Sequence, residues 1–287
     1  AVNGVAFHPN GSLLASGGAD GAILLRDGAE YREIGKLAGQ GEAVSALAFQ
    51  PGNPALLVSG GDDAAITLWH LKERRAAQTL RGHQQAVLSL AFHPGGDLLA
   101  SGGGDAVVKL WSVAAVREIA ALRGHFEAVN GVAFHPNGGL LASASADKTV
   151  KLWDVGERRE TLTLRGHDDD VLTVAFTPDG ARLASGGWDR AIRLWEVSRL
   201  KPAHYPVSGG GINAICFHPT RPLLAVGTQD GAVALWDTSP PREITRLRGH
   251  RGAAWCAAFS PNGRWLASGG DDGAARLWHA ADGGEAA

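Results

Sequence analysis

The stretch AVLSLAFHPGGDLLASGGGDAVVKLW at residues 86–111 determines the fold of this chain. It contains segments rich in strand-forming residues, separated by the turns HPGG and GGD. Proline fixes φ and glycine accepts positive φ, so both turns are expected to be tight. With the segment that follows, the predicted strands are residues 86–92, 97–102, 107–111 and 117–122. The stretch therefore predicts a unit of four short antiparallel strands.

The same pattern occurs seven times at a spacing of about 42 residues, marked by an aromatic residue two positions before a proline. These aromatic residues are Phe7, Phe49, Phe92, Phe134, Phe176, Phe217 and Phe259. A fixed period of this length indicates a repeat architecture, and repeated four-stranded units predict a β-propeller. We therefore expect an all-β fold, a seven-bladed propeller with four-stranded antiparallel blades. We expect one domain over 1–287, with repeats near 1–42, 43–85, 86–127, 128–169, 170–210, 211–252 and 253–287.

The unit resembles the WD40 repeat over essentially the whole chain. A Gly-His pair precedes four of the units, an Asp occupies the second turn of all seven, and a Trp ends the third strand of six. In the resembled family the His, Asp and Trp join a strand Ser in a buried hydrogen-bond network. The resemblance therefore implies a structural network of His83, Ser101, Asp105, Trp111, His125, Ser143, Asp147, Trp153, His167, Ser185, Asp189, Trp195, His250, Ser268, Asp272 and Trp278.

The Ser, His and Asp in these repeats are expected to be structural rather than catalytic. A hydrolase needs one activated serine in one cleft, whereas this trio recurs in four blades at the same position. A second histidine set lies beside the turn prolines, and a ring of seven blades is expected to keep its members apart as surface turn residues: His8, His93, His135 and His218. The glycine runs lack the helix and Lys of a phosphate-binding loop. We predict no catalytic residues, metal or cofactor.

Composition argues against several partner classes. The net charge is −2 with acids and bases interspersed, so no basic face indicates nucleic acid. No apolar run approaches the length that spans a membrane, and we expect no secretion signal in the given sequence, because no charged-then-apolar stretch lies before the first repeat.

Cys216 and Cys256 are expected to be free buried thiols, which favours a cytoplasmic location. The chain contains no Met, so we expect it to be part of a longer polypeptide. We expect the propeller to be monomeric.

Three repeats depart from the pattern, and so does the end of the chain. Arg26 replaces the Trp in repeat 1, Gln40 replaces the His in repeat 2, and Ser208 and Val226 replace the His and Ser in repeat 6. We expect partial networks in these blades. The chain starts at a first strand and ends soon after Trp278, so the last blade is expected to lack its outer strand.

The resemblance implies that partners bind at the loops after Gly-His and before the turn Asp, where the copies differ. Trp188 stands out there, because an indole in a tight polar turn gains little from burial and aromatic residues are frequent in binding hot spots. The predicted binding residues are Trp188, Asp168, Asp169, Phe126, Arg251 and Asp271. An aromatic residue beside carboxylates suits a basic peptide. Trp255 is expected to pack between blades rather than line the channel mouth.

The expected function is that of a non-enzymatic scaffold or sensor that binds a protein or peptide through its loop face. The alternative is an interaction or regulatory domain of a larger kinase, protease or NTPase whose catalytic part lies outside this chain. An enzyme with its site in the channel is disfavoured, because the innermost strands offer only Asn3, Ser45, Asn130 and Asn213 among apolar residues. Carbohydrate or nucleotide binding has no support in the sequence.

Overall fold

The computed structural model describes residues 1–28, 30–37, 40–198 and 202–286, and these residues form 27 β-strands in seven antiparallel sheets. Each sheet is one blade, in which consecutive strands pair in chain order. The first strand of each blade contacts the first strand of the next blade, and β25 contacts β1. The seven first strands therefore surround the axis of a closed ring, and the chain is an all-β, seven-bladed propeller, as predicted.

The first strands are β1 (Val2–Phe7), β5 (Val44–Phe49), β9 (Val87–Phe92), β13 (Val129–Phe134), β17 (Val171–Phe176), β21 (Ile212–Phe217) and β25 (Ala254–Phe259). The second strands are β2 (Leu13–Gly18), β6 (Leu56–Gly61), β10 (Leu98–Gly103), β14 (Leu140–Ser145), β18 (Arg182–Gly187), β22 (Leu223–Thr228) and β26 (Trp265–Gly270). The third strands are β3 (Ile23–Asp27), β7 (Ala65–His70), β11 (Val108–Ser112), β15 (Val150–Asp154), β19 (Ala191–Glu196), β23 (Ala232–Thr238) and β27 (Ala275–His279). The outer strands are β4 (Glu33–Leu37), β8 (Arg75–Arg81), β12 (Arg117–Leu122), β16 (Arg159–Leu164), β20 (Pro202–Pro206) and β24 (Pro241–Arg248).

The hydrophobic core lies between neighbouring blades rather than within one blade. Trp153 of blade 4, for example, belongs to a buried cluster with Val108, Leu110 and Leu122 of blade 3. Close packing explains why glycine recurs in the second strands. A Cβ on Gly102 of blade 3 would lie 2.7 Å from Cγ1 of Val129 in blade 4, so a larger residue would push the blades apart.

Blade 7 has three strands within the described residues, in agreement with the prediction that it lacks an outer strand. The tail contacts β27 without forming a strand: Trp278 and Glu285 form an isolated bridge, the Ala286 N–H donates to the Leu277 carbonyl, the His279 N–H donates to the Gly284 carbonyl, and Arg276 pairs with Glu285. Blade 7 nevertheless packs on blade 1 as other neighbours do. A Cβ on Gly269 would lie 2.5 Å from Cγ1 of Val2, which repeats the contact of Gly102 with Val129.

The histidines beside the turn prolines join neighbouring blades on the face opposite the Gly-His loops. The Nε2 atoms of three of these histidines donate to a carbonyl of the next blade: His8 to Pro54 at 3.2 Å, His135 to Gly180 at 3.1 Å and His218 to Gly263 at 3.0 Å. Each ring also packs edge-on against the phenylalanine of that blade. The prediction of surface turn residues is wrong for His8 and His218, which are buried. We call this inter-blade contact the histidine clasp.

Candidate functional site

A chain of four side chains fixes the loops of blade 5 that carry the candidate binding residues. The Trp195 indole N–H donates to Ser185 Oγ at 2.9 Å, and Ser185 Oγ lies 2.7 Å from His167 Nε2. His167 Nδ1 lies 2.7 Å from the Asp189 carboxylate, which also accepts the Asp168 backbone N–H at 3.3 Å. Every donor has an acceptor when the imidazole is neutral with its proton on Nδ1. The turn that carries Trp188 is thereby joined to the loop that carries Asp168.

The same chain of contacts occurs in blades 3, 4 and 7, at the residues that the resemblance implied. The Trp-to-Ser, Ser-to-His and His-to-Asp distances are 2.8, 2.7 and 3.0 Å for Trp111, Ser101, His83 and Asp105. They are 2.8, 2.7 and 2.7 Å for Trp153, Ser143, His125 and Asp147. They are 2.9, 2.8 and 3.0 Å for Trp278, Ser268, His250 and Asp272. The same buried series of hydrogen bonds from Trp through Ser and His to Asp therefore fixes one loop in each of these three blades and in blade 5.

In blade 3 the electrostatics favour a neutral imidazole and an ionised carboxylate. Burial lowers the pKa of His83 below its usual 6.5, although Asp105 opposes the shift. Burial alone would raise the pKa of Asp105, but hydrogen bonds from the Gln84 N–H and from His83 lower it. The pKa of Asp189 is lowered in the same way: burial alone would raise it, but the His167 hydrogen bond and charge and the backbone N–H groups of Asp168 and Ala191 together outweigh burial. Burial also lowers the pKa of the clasp residue His218.

We expect stability to fall as the pH falls from 7.5 to 5.5 and again below pH 4. The unfolded chain takes up protons near the ordinary histidine pKa of 6.5, whereas folded His83 and His218, whose pKa values are lowered, take up protons less readily. Asp105 and Asp189 act with the same sign around their ordinary pKa of 3.8. Each pKa unit between the two states corresponds to about 1.4 kcal/mol. Urea midpoints at pH 7.5, 5.5 and 3.5 test this expectation, and a higher midpoint at pH 5.5 than at pH 7.5 contradicts it.

Blade 2 does not have the partial network that the sequence predicted. Gln40 Nε2 donates to Asp63 at 3.0 Å, the Ser59 hydroxyl bonds to Gln40 Oε1, and the Trp69 indole donates to Ser59 at 2.7 Å. The prediction is wrong because a carboxamide carries a donor and an acceptor and can replace the neutral imidazole. In blade 1, Arg26 takes the position of the tryptophan, and its Nη1 donates to Ser16 at 2.9 Å.

Blade 6 does have a broken network. Val226 offers no hydroxyl, and the buried Trp236 Nε1 has no hydrogen-bond partner. Arg246 of the outer strand takes over the connecting role, with Nη2 2.5 Å from the Ser208 carbonyl and Nη1 3.8 Å from the Asp230 carboxylate. The loop before β21 is therefore held from the rim of blade 6 instead of from its interior.

Trp188 lies on the loop face at the boundary of blades 5 and 6, and 50 % of its surface is exposed. Its backbone N–H donates to the Asp170 carbonyl at 3.0 Å. A Cβ on Gly211 of blade 6 would lie 2.9 Å from Trp188 Cδ1, so the indole packs on backbone that carries no side chain. Because residues 209–211 are all glycine, no side chain of this run covers the exposed indole. The run was visible in the sequence, but its contact with Trp188 was not predicted.

The acidic loop beside Trp188 carries exposed and partly buried carboxylates. The Asp168 side chain is 93 % exposed and lies 4.0 Å from Arg193 Nη2, which is shared with Asp189 at 3.8 Å. Burial and then the charge of Asp169 raise the pKa of Asp170. Lys148 of blade 4 donates to the Asp168 carbonyl at 3.0 Å, a link between blades that the sequence did not indicate. The cations around the loop are therefore already engaged.

The six predicted binding residues divide into two groups. Phe126, which is 87 % exposed, precedes blade 4, and Trp188, Asp168 and Asp169 belong to blade 5. Arg251 and Asp271 belong to blade 7, on the far side of blade 6. Asp271 is engaged by the Trp255 indole at 2.6 Å and by the Ala253 N–H at 3.0 Å. We name Phe126, Asp168, Asp169 and Trp188 the indole patch.

Residues of the first strands of blades 3 to 7 line a cavity of about 160 Å³ at the ring axis. Trp255 lines this cavity, contrary to the expectation that it packs between blades, because its indole is turned toward Asp271. Asn130 and Asn213 also line it, but their amides donate to the Val171 and Ala254 carbonyls of the next blades. These asparagines therefore connect neighbouring blades.

The remaining ionisable and apolar groups of the described residues add no further chemistry to the site. No group of three or more His, Cys, Asp or Glu there is placed to hold a metal ion. No helix in that part of the chain is long and apolar enough to cross a membrane. Cys216 and Cys256 are free, and burial raises the pKa of each thiol to about 12, so both stay protonated near neutral pH.

Comparison with known families agrees with this architecture. The family model described as WD domain, G-beta repeat (WD40) matches residues 1–27, 31–70, 74–112, 116–154, 158–196, 199–237 and 241–279. A comparison with curated proteins finds no significant match. The first match covers β1 to β3, and each of the other six runs from the outer strand of one blade to the third strand of the next; together they cover most of the chain. The protein is therefore a member of the WD40 family.

Proposed function

We propose that the protein is a non-enzymatic scaffold that binds a basic protein or peptide segment at the indole patch. WD40 propellers generally serve as protein-interaction scaffolds rather than catalysts. The observation that carries the proposal is the half-exposed Trp188 indole resting on Gly211. We also propose a cytoplasmic location and a monomeric propeller, and the two free thiols support a reducing compartment.

The chemistry of the patch favours a cationic side chain. An Arg or Lys over an indole face gains from the negative charge of the π surface, and the exposed Asp168 carboxylate adds a second attraction. The pKa of Asp170 is raised by burial and by Asp169, so a cation bound nearby relieves repulsion within the loop. Phe126 offers apolar area on the neighbouring blade for the residues that flank this cation.

The experiment is the selection of a phage-displayed random dodecapeptide library on the wild-type chain, with counter-selection on Trp188→Ala. We expect the surviving peptides to be enriched in Arg and Lys. Labelled synthetic copies should lose about 30-fold in affinity on Trp188→Ala, the usual effect of an aromatic hot spot. Fluorescence anisotropy at 50 and 200 mM salt measures the affinity and its electrostatic part.

Ile244→Ala is the matched control, because Ile244 is also an exposed large hydrophobic residue but lies on the outer strand β24. This control should leave the peptide affinities unchanged. Equal binding to wild type and Trp188→Ala refutes the indole patch, and a selected pool without basic residues refutes the basic partner.

A further inference from the structure

The boundary between blades 5 and 6 lacks the histidine clasp. Thr177 stands where blades 1, 3, 4 and 6 have a histidine. Its hydroxyl is turned onto its own turn, where it donates to Asp179 Oδ1 at 2.6 Å and accepts the Arg182 N–H at 3.0 Å. His135 reaches from blade 4 to blade 5. The shorter Thr177 side chain makes no equivalent contact from blade 5 to blade 6 among the described residues.

The receiving half of the clasp is changed as well. In blades 4 and 5 the imidazole of the previous blade lies against a positive-φ glycine, Gly138 or Gly180, and a Cβ there would overlap the ring. In blade 6 the same turn position is Arg221. Both partners of the clasp are thus replaced at one boundary, and a cavity of about 610 Å³ opens between the two turns. This volume is in the range of ligand-binding pockets.

The cavity combines apolar walls with two guanidinium groups. Phe217 and Pro219 supply apolar surface, and Arg182 and Arg221 supply positive charge. Arg182 Nη1 donates to the Thr238 carbonyl of blade 6 at 2.8 Å, which fixes the guanidinium at the boundary and leaves its other donors available.

One carboxylate, that of Asp179, also lines the cavity. Its Oδ1 accepts from the Thr177 hydroxyl and from the Ala181 N–H at 2.9 Å. These hydrogen bonds, with that of Thr177 the larger cause, lower the pKa of Asp179. The charge of Arg182 also contributes to this lowering, and with one carboxylate against two guanidinium groups the lining carries a net positive charge.

We propose that this cavity is a second binding site, separate from the indole patch, which takes an acidic peptide segment. An Asp or Glu carboxylate pairs with Arg182 and Arg221, because the planar guanidinium fork matches a carboxylate. An apolar neighbour of that acidic residue packs on Phe217 and Pro219. The propeller then binds segments of opposite charge on its two faces.

The test uses the same dodecapeptide library, now with counter-selection on the double variant Thr177→His/Arg221→Gly, which restores the pair found between blades 4 and 5. We expect the peptides that bind the wild-type chain but not the double variant to be enriched in Asp and Glu. Their labelled copies should bind Arg182→Ala and Arg221→Ala at least about tenfold more weakly than wild type, and more weakly at higher salt.

Two control variants separate this site from stability effects and from the proposed function. Ser260→His adds a histidine at the boundary of blades 7 and 1, where Ser260 is also turned onto its own loop, and should not change the affinity. Trp188→Ala should not change it either, so failure of one site leaves the other testable. Acidic peptides that bind both arginine variants as tightly as wild type overturn the proposal. The proposal is also overturned if no peptide binds the wild-type chain in preference to the double variant, or if the peptides that do so contain no acidic residues.

Discussion

Replacing Trp153 with alanine is expected to lower the free energy of unfolding by about 3–5 kcal/mol, the usual cost of removing a large aromatic residue from a core. The Trp153 side chain is 1 % exposed and fills the space between blades 3 and 4. Its indole N–H also donates to Ser143, which is fully buried and loses that partner in the variant. Urea unfolding followed by far-ultraviolet circular dichroism at pH 7.5 measures the loss.

Two comparisons make this prediction specific. Trp188→Ala removes an equally large side chain from a half-exposed site and should cost much less. Trp153→Phe should cost about 1 kcal/mol more than Trp236→Phe, since the Trp236 indole N–H has no hydrogen bond to lose. A Trp153→Ala variant as stable as Trp188→Ala contradicts the inter-blade core.

The architecture was predictable because the repeat carries the same information seven times. Turn residues such as those at 93–96 set the strand lengths, and the period set the number of blades. The three-stranded last blade followed from counting strands against repeats. The histidine clasp was missed, because a histidine next to a turn proline reads as a surface residue when one unit is considered alone. Its partner, for example Pro54 for His8, belongs to the next blade.

The candidate sites were predictable to a smaller extent. The sequence singled out Trp188 because a tryptophan in a polar turn is anomalous, and the structure adds its contact with Gly211. Sequence reasoning placed Asp271 in the same set, but Asp271 lies in blade 7, two blades from Trp188, where it accepts the Trp255 indole N–H. The cavity between blades 5 and 6 was not predicted, because it depends on two changes, at Thr177 and Arg221, that face each other only in the folded ring.

Removing the imidazole of His125 is expected to be far more harmful than exchanging it for a carboxamide. His125→Ala leaves Ser143 and Asp147 without their shared partner in a buried site, which should cost about 2–5 kcal/mol. His125→Gln should cost only about 0.5–1.5 kcal/mol, because Gln40 already connects Ser59 to Asp63 in blade 2. Urea unfolding at pH 7.5 measures both values.

The reverse exchange in blade 2 is the matched control. Gln40→His should change the free energy of unfolding by no more than about 1 kcal/mol, whereas Gln40→Ala should repeat the large loss of His125→Ala. If His125→Gln is as destabilising as His125→Ala, the donor and acceptor pattern does not explain the network. The shape of the imidazole would then be the property that stabilises the blade. The unbroken series of hydrogen bonds through Gln40 in blade 2 would need another explanation.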